Sequence, residues 1–101
     1  MTTYSLKDIG INENAYTKEY AIKLIMQLKK KQIPILGGDV YILENTKISR
    51  TIDNWYCNRI EQEAPLNYVE RSYQIALKYI ESYPIQSTKI VLFSLVYEKR
   101  N

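Results

Sequence analysis

One stretch of the sequence, Leu66–Tyr83, constrains the fold more than any other. At about 100° per residue its apolar and aromatic side chains share one face of a helix, and its polar and charged side chains share the opposite face. Pro65 suits the first helical turn, and Pro84 ends the helix. A helix with one apolar face has to cover a second layer of structure. The members of the apolar face are Val69, Tyr73, Ala76, Leu77, Ile80 and Tyr83.

A second segment indicates that this layer is a β-sheet. Ile90–Tyr97, "IVLFSLVY", is apolar at nearly every position, which is typical of a strand covered on both faces. We therefore place it in the middle of a sheet. Val40–Leu43 and Ile48–Cys57 read as the two strands of a hairpin, and Glu44–Lys47 reads as the turn between them.

Ala15–Lys31 is predicted to form the other main helix. Tyr16, Tyr20, Leu24 and Leu28 recur every four residues, and an asparagine before them, Asn12 or Asn14, is the expected cap. Lys29–Lys31 would place positive charge at the negative end of the helix dipole. Ile22 and Met26 fall away from the apolar stripe, so either a second layer covers them or they form exposed apolar surface.

Between the first helix and the hairpin, the chain is predicted to change direction. Ile33–Leu36 contains Pro34 and reads as an edge strand or an extended lead-in. Gly37 and Gly38 are assigned to a structural turn, either a sharp reversal or a bulge, with Asp39 bonding back to its backbone. The sequence thus predicts a single α+β domain over residues 1–101, a small mainly antiparallel sheet with two main helices packed on it.

Several catalytic classes are excluded by residue types that the chain lacks. It has no histidine and one cysteine, so Ser-His-Asp catalysis, Cys-His catalysis and the standard zinc sites are ruled out. No glycine-rich phosphate loop is present. Asp39 and Asp53 are the remaining candidates for carboxylate chemistry, but a turn cap and a strand end explain them more simply. We predict no enzyme, no cofactor and no metal, and a buried, unreactive Cys57.

The sequence carries little information about the cellular compartment of the protein, and its net charge carries little about its partners. No apolar run approaches the about 20 residues that span a bilayer, no secretory signal pattern is seen, and Cys57 has no disulfide partner within the chain. We expect a cytoplasmic protein. The net charge of +3 is uneven, because residues 1–32 and 88–101 are basic and residues 33–87 are mildly acidic.

Aromatic side chains point to a contact surface near the hairpin. Tyr16, Tyr20, Tyr73 and Tyr83 have the periodicity of core residues. Three other aromatic residues lie in or beside the hairpin with polar neighbours, and such side chains dominate protein interfaces. For Trp55, a role in the core and a role in contact are equally open. The candidate partner-binding residues are Asp39, Tyr41, Glu44, Asp53, Asn54, Trp55 and Tyr56.

Three blocks of the sequence resemble one known family. "IPILGGDVY" at 33–41, "DNWYC" at 53–57 and "YVERSYQIALKYIESYP" at 68–84 are similar, in order and spacing, to the immunity protein 40 family of bacterial polymorphic toxin systems. The similarity covers about residues 15–97. The family-like positions near the hairpin are Gly37, Gly38, Asp39, Val40, Asp53, Asn54, Trp55 and Tyr56.

This resemblance implies a small cytoplasmic α+β protein that binds a cognate toxin domain and occludes its active site. It leaves open whether the shared residues touch the toxin or hold the fold. The alternative function is a basic nucleic-acid-binding module that uses Lys7, Lys29–Lys31, Lys99 and Arg100, although a denser basic stripe is usual in such proteins. A homodimer formed through Ile22 and Met26 is also left open.

Overall fold

The computed structural model describes residues 3–84 and 88–98. In this part of the chain two α-helices pack on an antiparallel sheet of six strands, which confirms the predicted α+β class. A 3-10 turn, Lys7–Ile9, follows the first strand. The elements are β1 (Thr3–Ser5), β2 (Asn14–Tyr16), α1 (Lys18–Lys30), β3 (Ile35–Glu44), β4 (Lys47–Tyr56), α2 (Pro65–Ser82), β5 (Ile90–Phe93) and β6 (Val96–Tyr97).

The strand order places the hairpin at one side of the sheet. The order is β1-β2-β5-β3-β4, with β6 also paired to β3, so β4 is an edge strand. The central position predicted for Ile90–Tyr97 is confirmed for β5, but the segment is two short strands and not one. Ser94 separates them because it bonds to Asp39 twice. Its Oγ accepts from the Asp39 N–H at 3.2 Å, and its own N–H donates to the Asp39 carbonyl at 3.0 Å.

The larger core lies between the helices and one face of the sheet. Tyr73 of α2 is buried there, as its periodicity predicts, and its hydroxyl donates to the Leu28 carbonyl of α1 at 3.0 Å. Ser72 is also buried, and its Oγ accepts from the Ile35 N–H at 3.0 Å and so joins α2 to the start of β3. The other buried members are Ala21, Ile25, Ile33, Val40, Trp55, Val69, Ala76, Ile80, Phe93 and Leu95.

A second, smaller core covers the opposite face of the sheet. Leu6, Ala15, Tyr41 and Leu92 are buried together there, so the N-terminal segment closes over the middle of the sheet. The predicted start of the first helix is therefore wrong. Residues 14–16 are strand β2, which pairs with β1, and α1 is capped by Thr17, whose Oγ1 accepts from the Tyr20 N–H at 3.4 Å.

Gly37 and Gly38 lie inside β3, so the predicted sharp reversal is wrong. A register irregularity between Ile35 and Gly37 matches the bulge that was the other expectation. Gly38 pairs directly with Trp55 of β4. A Cβ on Gly38 would overlap the indole ring of Trp55 and the backbone oxygen of Ser94. Glycine is needed here because two chain segments approach closely, and not because the chain turns.

The surface of α1 agrees in part with the sequence prediction. Lys29 and Lys30 form its last turn and Lys31 follows as the cap, as expected for charge at a helix end. Ile22 is half-buried against the larger core, whereas Met26 is exposed, so the two do not form one apolar patch. Neither helix described is long and apolar enough to span a membrane.

Candidate partner-binding surface

Edge strand β4 carries most of the exposed candidates. We define the β4 surface as Arg50, Ile52, Asp53, Asn54 and Tyr56 together with the neighbouring Asp39 of β3. The five β4 residues are exposed, and Asp39 is half-buried. An edge strand has one row of backbone groups without a neighbouring strand, so this side of the sheet is open to a partner.

The structure separates the seven predicted contact residues into two groups. Tyr41 and Trp55 are 1% and 7% exposed, respectively, so a partner cannot reach them in this conformation. Both side chains fill the cores of the sheet, which for Trp55 agrees with the core role that the sequence left open. Asp53, Asn54 and Tyr56 are exposed and Asp39 is half-buried on the β4 surface, and Glu44 lies at the distal end of the hairpin.

Trp55 shows why an aromatic residue in a strand can be mistaken for a contact residue. Its indole stacks on Tyr79 of α2 with the ring centroids 4.8 Å apart, and Tyr79 in turn lies 6.0 Å from Tyr83. The indole Nε1 is buried and has no hydrogen-bond acceptor among residues 3–84 and 88–98. The side chain therefore contributes packing and little polar recognition.

The charges beside β4 largely balance. The Arg50 guanidinium lies 3.3 Å from the Asp39 carboxylate across the two strands. Glu44 is in register with Lys47 at the hairpin end. Of the three acids predicted at this surface, only Asp39 belongs to an ion pair among those described, whereas Glu44 and Asp53 do not. The local excess is one negative charge, from three acids and two bases, so the acidic character is milder than the sequence suggested.

The Asp53 carboxylate accepts a hydrogen bond from a residue of the helix layer. The Tyr83 hydroxyl, at the C-terminal end of α2, donates to the Asp53 carboxylate at 2.6 Å. Burial and this hydrogen bond raise the pKa of Tyr83 to about 12, so the hydroxyl keeps its proton at neutral pH and remains a donor. The orientation of the Asp53 carboxylate is thus fixed before any partner arrives.

Two apolar side chains stand out on the β4 surface. Tyr56 is 72% exposed and Ile52 is 95% exposed. Tyr56 was a predicted contact residue, but sequence reasoning missed Ile52 and also Arg50. The available signal for Ile52 was an isolated aliphatic residue between Thr51 and Asp53, in a strand segment that is otherwise polar.

Hydrogen bonds from α2 hold the segment that follows β4 in place. Arg71 donates from Nε and Nη2 to the two carboxylate oxygens of Glu63, both at 2.8 Å, and from Nη2 to the Asn58 carbonyl at 2.7 Å. The Tyr68 hydroxyl donates to the Cys57 carbonyl at 2.7 Å. Such bidentate pairs impose a defined geometry. The end of β4 is therefore anchored beside the exposed Tyr56.

This anchor predicts a pH dependence of stability. Hydrogen bonds from Arg71 lower the pKa of Glu63 to about 2. A carboxyl whose pKa is lower in the folded state stabilises the fold above its ordinary pKa, and this stabilisation is lost as pH falls. Wild-type protein is thus expected to be more stable than Glu63→Gln near pH 6, and the two should converge between about pH 4.5 and about pH 2.

Urea unfolding of the two proteins across this pH range, followed by far-UV circular dichroism, measures the convergence. Glu61→Gln is a suitable control because Glu61 is exposed on the same connection and makes no ion pair among those described. A difference between wild type and Glu63→Gln that stays constant down to pH 2 would contradict the assignment of the stabilisation to the charged pair.

Metal binding and nucleophilic chemistry would each depend on the acidic residues and the cysteine of this region. No cluster of three or more acidic or cysteine residues that could hold a metal occurs in the part of the chain described. Cys57 is buried, as predicted, and burial raises the pKa of its thiol although Arg71 opposes the shift. A thiol with a raised pKa is a poor nucleophile at neutral pH. The geometry suits surface recognition more than covalent chemistry.

Comparison with known proteins identifies a family. A family model described as Immunity protein 40 matches residues 5–97, which is most of the chain and includes every element from β2 to β6. The resemblance read from the sequence is thereby confirmed. No curated protein and no solved structure matches.

Proposed function

This chain belongs to the immunity protein 40 family, and from that premise we propose that it binds the toxic domain of a cognate bacterial toxin and blocks its active site. The match over residues 5–97 is the observation that carries the proposal. The proposed mechanism is occlusion in a one-to-one complex, with no reaction catalysed by the immunity protein. The proposed site of action is the cytoplasm of the toxin-producing bacterium or its kin.

The β4 surface supports this mechanism because it is exposed and already ordered. Asp39 and Arg50 are joined to each other, and Asp53 is joined to Tyr83. Little side-chain freedom is therefore lost when these groups become buried in a complex, and a preordered surface binds more tightly than a mobile one. A standard interface buries about 800 Å² on each partner, so contacts from neighbouring parts of the sheet would also be required.

In the proposed complex, charged side chains are expected to affect the rate of association with the toxin domain more than the affinity for it. The surface has one net negative charge, and the ion pair of Asp39 with Arg50 is partly open to solvent. Exposed ion pairs contribute little stability, but complementary charge speeds association. We therefore expect the rate of association to fall moderately with salt, while most of the affinity persists.

Titration calorimetry with a candidate toxin domain taken from an adjacent gene tests the proposal. The expected result is a stoichiometry of one, together with loss of toxin activity in proportion to the immunity protein added. Absence of binding, or binding that leaves the toxin active, would contradict the proposed function. An unrelated toxin domain of similar size and charge serves as the control for non-specific association.

Nucleic-acid binding is less well supported by the structure. Lys29 lies 3.9 Å from Glu70, and Lys18 donates to the Glu81 carbonyl at 3.3 Å, so neighbouring helix groups engage some of the basic residues. Lys7 lies on the 3-10 turn beyond β1. Lys99 and Arg100 of the predicted basic set lie outside the described residues. Retardation of RNA or DNA in a gel shift at low salt would favour this alternative.

A further inference from the structure

Ile52 occupies a bulge in the edge strand. On one side of the bulge Asn54 pairs with Asp39, and on the other side Arg50 pairs with Tyr41. Three residues of β4, Thr51–Asp53, therefore face a single residue of β3. Bulges of this kind change the direction of a side chain and often lie beside functional sites. The result here is an isoleucine that is 95% exposed at the edge of the sheet.

Four hydrogen bonds hold the bulge in place. Thr51 Oγ1 donates to the Val40 carbonyl at 2.9 Å and accepts from the Asp53 N–H at 3.0 Å. The Asn54 side-chain amide donates to the Ile52 carbonyl at 3.2 Å. The Tyr83 hydroxyl donates to the Asp53 carboxylate at 2.6 Å. Ile52 thus has a fixed backbone on both sides although its own side chain touches almost nothing.

The same bonds make this part of β4 unsuitable for pairing with another strand. The Asp53 N–H and the Ile52 carbonyl are already hydrogen-bonded to side chains of β4 itself. Bulges and occupied backbone groups are means by which edge strands avoid pairing with foreign strands. Recognition at this point is therefore expected to go through side chains, and the most exposed large apolar side chain of β4 is Ile52.

We propose that Ile52 is the anchor residue that enters an apolar pocket of the cognate toxin domain, an inference that rests on the proposed function. Hot spots in interfaces are side chains that fill desolvated pockets and are ringed by other contacts that exclude water. Tyr56 and Arg50 of the same strand supply such contacts. Both are exposed, and Arg50 is already oriented by Asp39.

The charges around the bulge indicate the character of the partner's pocket. The exposed Asp53 carboxylate follows Ile52 directly, and its only hydrogen-bond donor among the side chains described is the neutral Tyr83 hydroxyl. A partner that buries Ile52 must also satisfy this carboxylate or leave it in water. The complementary pocket therefore has an apolar floor and a lysine or arginine at its rim, where the pair remains partly solvated.

The test measures binding of the toxin domain to Ile52 variants by titration calorimetry. Loss of most of the buried isoleucine side chain in Ile52→Ala is expected to raise Kd by about 10- to 100-fold. Ile52→Asp is expected to weaken binding further because it would bury an unpaired charge. Met26→Ala and Met26→Asp are matched controls, since Met26 is an exposed apolar residue on α1, and they should bind like wild type. Thermal unfolding of both Ile52 variants should match that of wild type because the Ile52 side chain supports no core.

A further variant separates the contribution of the Ile52 side chain from that of the hydrogen bonds that hold the bulge. Tyr83→Phe removes the bond to Asp53 while Ile52 is kept, and it is expected to weaken binding less than Ile52→Ala. If wild type binds the toxin and Ile52→Ala binds equally well, the inference is overturned although the proposed function stands. If wild type does not bind, the proposed function itself fails. Equal losses in the Met26 variants, or a dimer of the free protein that Ile52→Asp dissociates without changing toxin affinity, would also overturn the inference.

Discussion

Gly38→Ala is expected to destabilise the protein by at least about 3 kcal/mol, at the upper end of the cost of overpacking a core. The added methyl group would overlap the backbone oxygen of Ser94 and the Cη2 atom of Trp55, and it would lie 2.6 Å from the Trp55 Cζ3 atom. Trp55 cannot move away freely because its indole is buried and stacks on Tyr79. A loss of this size is a large part of the about 5–15 kcal/mol that stabilises a typical domain.

Gly10→Ala is the matched control for this substitution. Gly10 has φ of 80° and ends the 3-10 turn, and a Cβ there would meet no atom within 4 Å. Its replacement costs only the backbone strain of the left-handed region, about 1–2 kcal/mol. Urea unfolding should rank wild type first, Gly10→Ala next and Gly38→Ala last. If the two variants are equally stable, the close approach of β3 and Trp55 is not what requires glycine at position 38.

Tyr41→Ala is expected to cost about 3–5 kcal/mol in unfolding free energy, the range found when a large buried aromatic side chain is removed. Tyr41 is 1% exposed and packs with Leu6, Ala15 and Leu92 in the smaller core. Its removal takes away the largest member of a cluster that has few others. We also expect faster amide exchange at Leu6 and Ala15, because the N-terminal segment is held to the sheet through this cluster.

Tyr56→Ala tests the opposite expectation with the same residue type. Tyr56 is 72% exposed, and most surface substitutions change stability by less than about 0.5 kcal/mol. The variant should unfold like wild type and yet bind the toxin domain more weakly. Unfolding and titration of both tyrosine variants would check the assignment of one residue to the core and the other to the contact surface. Equal destabilisation by the two substitutions would contradict it.

The features that the sequence predicted correctly are those that depend on local patterns. The helix expected over Leu66–Tyr83 is α2, Pro65–Ser82, because periodicity and flanking prolines act within one segment. The hairpin turn expected at Glu44–Lys47 is present, with Asn45 at φ of 59°. Asparagine tolerates that conformation better than most residues. Neither feature needs information from a distant part of the chain.

The candidate site was predicted only in part because exposure in a sheet depends on what covers each strand. Tyr41 and Tyr56 lie in the two strands of one hairpin, yet one is buried and the other is exposed. The difference is the N-terminal segment, whose Leu6 packs with Tyr41, whereas Tyr56 lies at the far end of edge strand β4. Nothing within the hairpin sequence specifies which of its residues the N-terminal segment buries.

By itself, the sequence determined the class of the fold, its main helix, its hairpin and its family, because local periodicity and characteristic residue blocks are enough for these. Tertiary structure alone decided the register of β4. The Thr51–Asp53 bulge shifts the pairing by two residues, so Trp55 lies against Gly38. Hydrogen bonds to Val40 and Tyr83, residues 11 and 30 positions away, hold that bulge and leave Ile52 in solvent. Such contacts exist only after distant segments have packed together.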